Sequence, residues 1–180
     1  QDNLVITSSL KDLFDYYLSA SGEETIEQIS QRVEHNLSSQ LTSLALNQAL
    51  AIWRDYVSYK TALVKFDQEY SVNDRTLSEY QHLQLLQQRQ LSLIALQDQI
   101  FSESIAQTLF SFDRNLDNHT LEKARILASD LSAEAKNQSL INLDAQLPIE
   151  VTVSKKRNEK QKILLEIDDV DGLTSKQKYN

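Results

Sequence analysis

The chain has 180 residues, of which 41% are hydrophobic and 24% are charged, so it can bury a core and lacks the composition of a disordered protein. It contains two glycines and one proline, which excludes most β-rich architectures because hairpins and tight turns need these residues. Without cysteine it has no disulfide, thiolate zinc site or thiol nucleophile, and its net charge of −8 disfavours binding to nucleic acid. We therefore predict an all-α protein built from long helices.

Two short helices are predicted at the start of the chain. Ser9 and Asp12 have the spacing of a capping box, and apolar residues follow at helical intervals as far as Leu18. The pair Ser21-Gly22 indicates the end of this helix, and a second helix is predicted for residues 24–37. Together the two helices predict a helical hairpin.

One continuous helix is predicted for residues 38–70, because no helix-breaking residue occurs there. Two adjacent apolar stripes run along it. The first stripe consists of Leu46, Leu50, Trp53, Val57 and Val64. The aromatic stripe consists of Ile52, Tyr56, Tyr59, Leu63, Phe66 and Tyr70. So wide an apolar face either packs against two neighbouring helices or binds a partner.

Further helices are predicted after a break at Asn73-Asp74. A long helix over residues 75–99 contains seven glutamines from Gln81 onward, which form either a solvated face or an uncharged surface for protein contact. Shorter helices are predicted for residues 102–112, 118–127 and 133–147, the last with Ser132 as its N-cap and Pro148 at its end.

Both ends of the chain indicate a longer parent protein. The first residue is Gln rather than Met, and we expect that an N-terminal part has been removed. No secretory signal and no run of about 18 apolar residues is present. Residues 149–153 alternate like a strand, residues 155–162 carry a local net charge of +4, and a helix that starts near Thr174 is cut off at Asn180.

No pattern in the sequence predicts a catalytic, metal or cofactor site. Glu79 and His82 have the Glu-x-x-His spacing of di-iron helical bundles, but such bundles need a second copy of the motif. The acidic residues 168–172 do not fit a calcium loop, because the required carboxylates are missing at its first and last positions. From these patterns alone, the chain would be a structural or adaptor protein that oligomerises through the aromatic stripe.

The first predicted helix carries a specific motif. Residues 11–20 read Lys-Asp-Leu-Phe-Asp-Tyr-Tyr-Leu-Ser-Ala and are followed by Gly22-Glu23. This segment resembles the signature of the lipase-specific foldases, or lipase chaperones, which is Arg-x-x-Phe-Asp-Tyr-(Phe/Cys)-Leu-(Ser/Thr)-Ala. Lys11 stands where the family has Arg, so a planar two-pronged contact becomes a point charge, and Tyr17 replaces Phe or Cys. The matched positions are Phe14, Asp15, Tyr16, Leu18, Ser19 and Ala20.

The resemblance implies a steric chaperone that works without ATP and is not itself an enzyme. Its partner would be a secreted triacylglycerol lipase of the α/β-hydrolase fold, bound 1:1 at the periplasmic side of the inner membrane of a Gram-negative bacterium. A membrane anchor would precede the present chain. The implied layout is an N-terminal helical mini-domain at residues 1–37, an extended helical arm at 38–148, and the start of a truncated second mini-domain at 149–180. The alternative is that the last helix of the first mini-domain extends into residues 38–70.

The resemblance also implies which residues meet the lipase. Lys11 joins the six matched signature residues as candidates, and the candidate client-facing stripe comprises Tyr56, Tyr59, Leu63, Phe66 and Tyr70. If this stripe serves the client, it should be exposed in the free protein.

Helical spacing separates the roles of the signature residues. It places Phe14, Tyr17 and Leu18 on one face, as the core of the hairpin. Lys11 and Asp15 are spaced for an intrahelical ion pair worth a few tenths of a kcal/mol. The resemblance implies a larger role for Asp15, which would order the hairpin or contact the lipase.

Overall fold

The computed structural model describes residues 3–70 and 77–147. These residues form helices joined by turns and contain no strand, which confirms the predicted all-α class for the described part of the chain. The chain divides into two compact units, one up to Asp117 and one from Asn118 onward. The six helices of the described residues are α1 (Ser8–Leu18), α2 (Ile26–Ser38), α3 (Ser43–Glu69), α4 (Glu79–Ile100), α5 (Glu103–Ala128) and α6 (Ala133–Ala145).

The start of α1 differs from the prediction. The extended residue Thr7 is its N-cap, and Ser9 already lies inside the helix, so the capping box predicted for Ser9 and Asp12 is wrong. The preceding residues Leu4 and Ile6 pack against the core as an extended segment. This segment ends at Thr7, and the helix begins directly after it. A capping box does begin α2.

The long helix predicted for residues 38–70 is observed as α3, but it begins at Ser43, because α2 ends at Ser38 and a turn separates the two helices. The hydroxyls of Ser38 and Ser39 donate hydrogen bonds to the carbonyl oxygens three residues earlier, at 2.9 and 2.7 Å. Serine side chains that bond locally to the backbone compete with continuation of a helix. The prediction considered only Gly and Pro as breakers and therefore missed this turn.

The predictions for the last two helices differ in outcome, since the one for α5 is wrong and the one for α6 is confirmed at its start. The two helices predicted for residues 102–112 and 118–127 are one helix, α5, since residues 113–117 contain neither Gly nor Pro to interrupt it. The prediction for α6 is confirmed at its start, where the Ser132 hydroxyl accepts a hydrogen bond from the Ala135 N–H at 3.2 Å.

An aromatic core holds the first unit together. Phe14 of α1 is fully buried, with its ring centroid 5.2 Å from that of Trp53 and 5.5 Å from that of Tyr56. Phe101 and Phe110 pack against the Tyr59 ring from the other side, at 5.9 and 5.0 Å. The core therefore lies where α1, α3 and the start of α5 meet, and α2 adds its buried residues Ile29, Val33 and Leu37.

The aromatic stripe of α3 forms part of this core. Tyr56, Tyr59 and Phe66 are buried, while Leu63 and Tyr70 are half-buried. The expectation that this stripe is exposed in the free protein is therefore wrong, and the alternative, that it packs against neighbouring helices, describes it. The physical reason is that α1, α4 and α5 supply enough apolar surface to cover it.

The glutamines of α4 lie mostly in solvent, and one is buried. Gln81, Gln84, Gln87, Gln88 and Gln99 are exposed. The buried Gln97 donates to the Tyr59 hydroxyl at 3.2 Å and accepts a hydrogen bond from Arg114 Nε at 2.8 Å. This network fixes α4 against α3 and α5.

Several predictions fall on residues that the structure does not describe. These are the strand-like residues 149–153, the basic residues 155–162, the acidic residues 168–172 and the helix start near Thr174. The domain boundaries after residues 37 and 148 stay predictions. The first compact unit contains the predicted mini-domain together with most of the predicted arm.

Candidate functional site

The signature helix α1 has an inner and an outer face. Phe14 and Tyr17 are buried, and Leu18 packs half-buried against the same core, which confirms the face predicted for these three residues. Ala20, in the turn after α1, also packs against the core. Tyr16 points the other way and is 68% exposed. The signature therefore combines a structural face with an exposed aromatic side chain.

Asp15 fixes α1 to α3. Its Oδ1 accepts hydrogen bonds from the Tyr56 hydroxyl at 2.7 Å and from Lys60 Nζ at 3.1 Å. Its Oδ2 accepts a hydrogen bond from Lys11 Nζ at 3.0 Å, which is the predicted intrahelical pair. Asp15 thus links the signature helix to α3.

The charges of this cluster are set by burial and by hydrogen bonds. Partial burial would raise the pKa of the Asp15 carboxyl, but the hydrogen bonds from Tyr56, Lys11 and Lys60 outweigh it and the pKa is lowered. Burial and the neighbouring Asp15 carboxylate both raise the pKa of the Tyr56 hydroxyl, so that it remains a donor. The cluster is therefore a carboxylate held by one neutral and two cationic donors at neutral pH.

Lys11 extends the cluster to a third helix. Its Nζ lies 3.4 Å from Asp113 Oδ2 of α5, in addition to its contact with Asp15. Burial would lower the pKa of Lys11, but the two carboxylates raise it. Lys11 thus contacts one carboxylate on α1 and one on α5 through its single ammonium group. This is the point-charge contact expected of a lysine at a position where the family has arginine.

Ser19 and Tyr16 are linked at the C-terminal end of α1. The Ser19 hydroxyl donates a hydrogen bond to the Tyr16 carbonyl oxygen at 2.6 Å, and the Tyr16 and Tyr17 rings meet edge to face at 5.6 Å. These contacts hold the backbone and ring of Tyr16 while its other side stays in solvent. An exposed aromatic ring in a fixed position is suited to contact with a protein partner.

The structure supplies partners that sequence reasoning missed. Lys60 and Asp113 were not predicted as site residues, and Tyr56 was predicted as client-facing rather than as a hydrogen-bond donor to Asp15. The four-residue spacing of Tyr56 and Lys60 on α3 is a signal for a shared face. Nothing in the local sequence indicates that this face meets Asp15, which is more than 40 residues away.

Glu79 and His82 are exposed on α4, and within residues 3–70 and 77–147 no group of three His, Asp or Glu side chains could hold a metal ion. Of the helices described, none is long and apolar enough to cross a membrane.

Comparison with known proteins gives consistent matches. Residues 52–180 match the model of a family described as proteobacterial lipase chaperone protein. The chain is 33% identical over 150 residues to a lipase chaperone of Ectopseudomonas mendocina, covering 83% of this chain and 43% of that protein. It is 35% identical over 147 residues to a lipase-specific foldase of Burkholderia plantarii, covering 80% and 40%.

A third match includes the signature helix. A lipase chaperone of Acinetobacter baylyi is 28% identical over 184 residues, covering 99% of this chain and 49% of that protein. The chain spans less than half the length of the curated relatives it matches.

Proposed function

The chain belongs to the proteobacterial lipase chaperone family, and we propose that it binds a secreted triacylglycerol lipase and helps it reach its active conformation. The observation that carries this proposal is the construction of α1, where the signature residues anchor the helix and leave Tyr16 exposed. The names of the relatives, lipase chaperone and lipase-specific foldase, support it.

We further propose that the chain works without ATP and is not an enzyme. Folding assistance without an energy source must come from differential binding, in which a native-like intermediate of the lipase is bound more tightly than its trapped form. The client would be a lipase of the α/β-hydrolase fold in a 1:1 complex. The site of action would be the periplasmic side of the inner membrane, with an anchor that precedes the present residues.

Within the signature, we propose that Tyr16 contacts the client and that the other residues hold it in place. Phe14, Leu18 and Ala20 pack inward, and Lys11 and Asp15 bind each other and neighbouring helices. Tyr16 is the signature residue with the largest apolar group in solvent. The aromatic stripe would support the hairpin by packing in the core, since four of its residues are buried.

A refolding experiment tests this function. The triacylglycerol lipase encoded in the same genome is unfolded in denaturant and diluted with the chain or with a Tyr16→Ala variant, and hydrolysis of a triacylglycerol is measured. The chain should restore hydrolysis, and Tyr16→Ala should restore less while keeping the melting temperature of the parent. The chain without lipase should hydrolyse nothing, and equal recovery with and without the chain would contradict the proposal.

The alternative of a structural or adaptor protein loses its main support. It required oligomerisation through the aromatic stripe, and Tyr56, Tyr59 and Phe66 of that stripe are buried within the chain. Light scattering at increasing protein concentration distinguishes the two functions, because an adaptor of this kind would form oligomers without any lipase.

A further inference from the structure

A groove with an apolar floor runs along α3, on the side that faces the α1–α2 hairpin. It extends from Leu50 to Gln68, a length of about 27 Å at the rise of an α-helix. Its two halves share Ile26 and Val57 and are therefore continuous. We call this surface the hairpin groove; its apolar residues are Leu18, Ile26, Leu50, Trp53, Val57 and Val64.

Four of these residues belong to the first stripe of α3. Neighbouring helices of the chain cover most of the aromatic stripe beside it. The last residue of the first stripe, Val64, is 59% exposed. Ile26 faces it from the start of α2 and is also exposed. Of the other apolar residues, Leu18, Leu50 and Val57 are half-buried and Trp53 is buried at the floor. A groove with an apolar floor and exposed apolar side chains at its edge is typical of a binding surface.

The polar atoms around the floor of the groove are already paired. The Trp53 indole N–H donates a hydrogen bond to the Ser30 hydroxyl at 2.9 Å. The Asp15 carboxylate, which lines the half of the groove that contains Val64, accepts hydrogen bonds from its three donors. An apolar guest can therefore cover the floor without leaving these groups unsatisfied.

The charges at the ends of the groove differ. Lys60 and Lys65 lie beside Val64 at one end, and Lys65 is exposed. Glu27 and Glu34 of α2 lie at the other end together with Arg54 of α3, so the side chains that line that end carry a net negative charge. Such a pattern favours a guest that has an acidic residue at the Val64 end, because complementary charges fix the direction of binding.

We propose that the hairpin groove binds an amphipathic segment of the lipase client, with apolar side chains on the floor and an acidic residue at Lys65. This proposal rests on the function proposed above. Two observations favour the client over a second copy of the chain. The signature residues Asp15, Leu18 and Ser19 line the groove, and two copies that each carry a net charge of −8 repel one another.

A single-cysteine label tests which surface the lipase covers. Because the chain has no native cysteine, Val64→Cys can be labelled at one position with an environment-sensitive fluorophore. Leu91→Cys is the matched control, since Leu91 is 61% exposed on α4 and lies outside the groove. When the unfolded lipase is diluted into the labelled chain, the emission should shift to the blue at position 64 and stay unchanged at position 91.

Substitutions test the chemistry of the guest. Val64→Asp should weaken lipase binding at least about tenfold, and Leu91→Asp should leave it within twofold. Lys65→Glu should weaken binding about fivefold at low salt, whereas Lys123→Glu, an exposed lysine outside the groove, should not. Circular dichroism and melting temperature verify that all four variants are folded.

The outcomes separate this proposal from the function on which it rests. Recovery of lipase activity without a shift at position 64 would overturn the groove and leave the chaperone function standing. If lipase activity is not recovered and the emission at position 64 does not shift, both the groove and the chaperone function are overturned. A shift that follows the concentration of the chain alone, without lipase, would make a second copy the occupant and would also overturn the proposal.

Discussion

At the scale of single residues, the Asp15 carboxylate connects the signature to the fold. A pair of charges four residues apart on an exposed helix is worth a few tenths of a kcal/mol. Here the same carboxylate also accepts hydrogen bonds from Tyr56 and Lys60 of α3. Loss of the carboxylate therefore removes contacts between α1 and α3. The presence of a carboxylate at this signature position is thus explained by tertiary structure before any partner is considered.

We expect Asp15→Asn to lower the free energy of unfolding by about 1 kcal/mol at pH 7, a modest value because the cluster is partly exposed and screened by solvent. The pKa of Asp15 is lowered in the folded chain, so its contribution is present above the unfolded value of 3.8 and is lost as the pH falls through the folded pKa. The difference between parent and variant should therefore shrink between pH 5 and pH 2. Urea unfolding followed by circular dichroism measures it.

Asp12→Asn serves as the control for this experiment, because Asp12 is an exposed acid on the same helix. It should leave the free energy of unfolding within about 0.5 kcal/mol of the parent. An Asp15→Asn difference that is constant over this pH range would contradict the assigned hydrogen bonds.

Phe14 illustrates the structural face of the signature. Because it is fully buried between Trp53 and Tyr56, Phe14→Ala should cost about 3 to 5 kcal/mol of unfolding free energy and loosen the hairpin. Tyr16→Ala, on the exposed face, should change stability by less than about 0.5 kcal/mol. Denaturant unfolding of the two variants checks this contrast, and similar losses for both would show that the two faces are assigned incorrectly.

At the scale of the helices, local patterns predicted most of the fold. The apolar spacing indicated α1, α2, α4 and α6 to within a few residues, since these helices have clear periodicity or a good N-cap. The turn between α2 and α3 was missed because two serines, rather than Gly or Pro, interrupt the helix.

The two stripes of α3 show why the site was harder to predict than the fold. Both have the same periodicity, and sequence alone does not determine which one the neighbouring helices cover. The aromatic stripe was the candidate for the client, but in the structure most of it is buried, whereas Leu50, Val57 and Val64 of the first stripe line the groove. That distinction depends on the packing of α4 and α5 against α3, which involves contacts distant in sequence.

In the described part of the second unit, α6 contains no buried residue and contacts α5 through polar groups. The buried His119 of α5 meets Asp144 of α6, with 2.6 Å between Nε2 and Oδ1, and Lys136 Nζ donates to the Leu127 carbonyl oxygen at 2.7 Å. We expect His119→Ala to accelerate amide hydrogen exchange in α6 roughly tenfold while exchange in α3 is unchanged. His82→Ala, at an exposed position of α4, is the control, and unchanged exchange in α6 would contradict this role of His119.

At the scale of the whole molecule, the proposed function limits how the chain can act on its client. A chaperone that uses no ATP cannot be reset by an energy source, so it changes the outcome of lipase folding only through its own binding free energy. A chaperone that binds the native-like lipase most tightly remains on its product. It should therefore act once per lipase molecule rather than as a catalyst with turnover.

We accordingly expect the yield of active lipase to rise linearly with added chain and to level off at one chain per lipase, with or without ATP. The measurement is triacylglycerol hydrolysis after dilution of the unfolded lipase into a series of chain concentrations. Chain added after a failed refolding attempt, when aggregates have formed, is the control and should recover less. A plateau far below one chain per lipase would indicate turnover, and stimulation by ATP would contradict folding by differential binding alone.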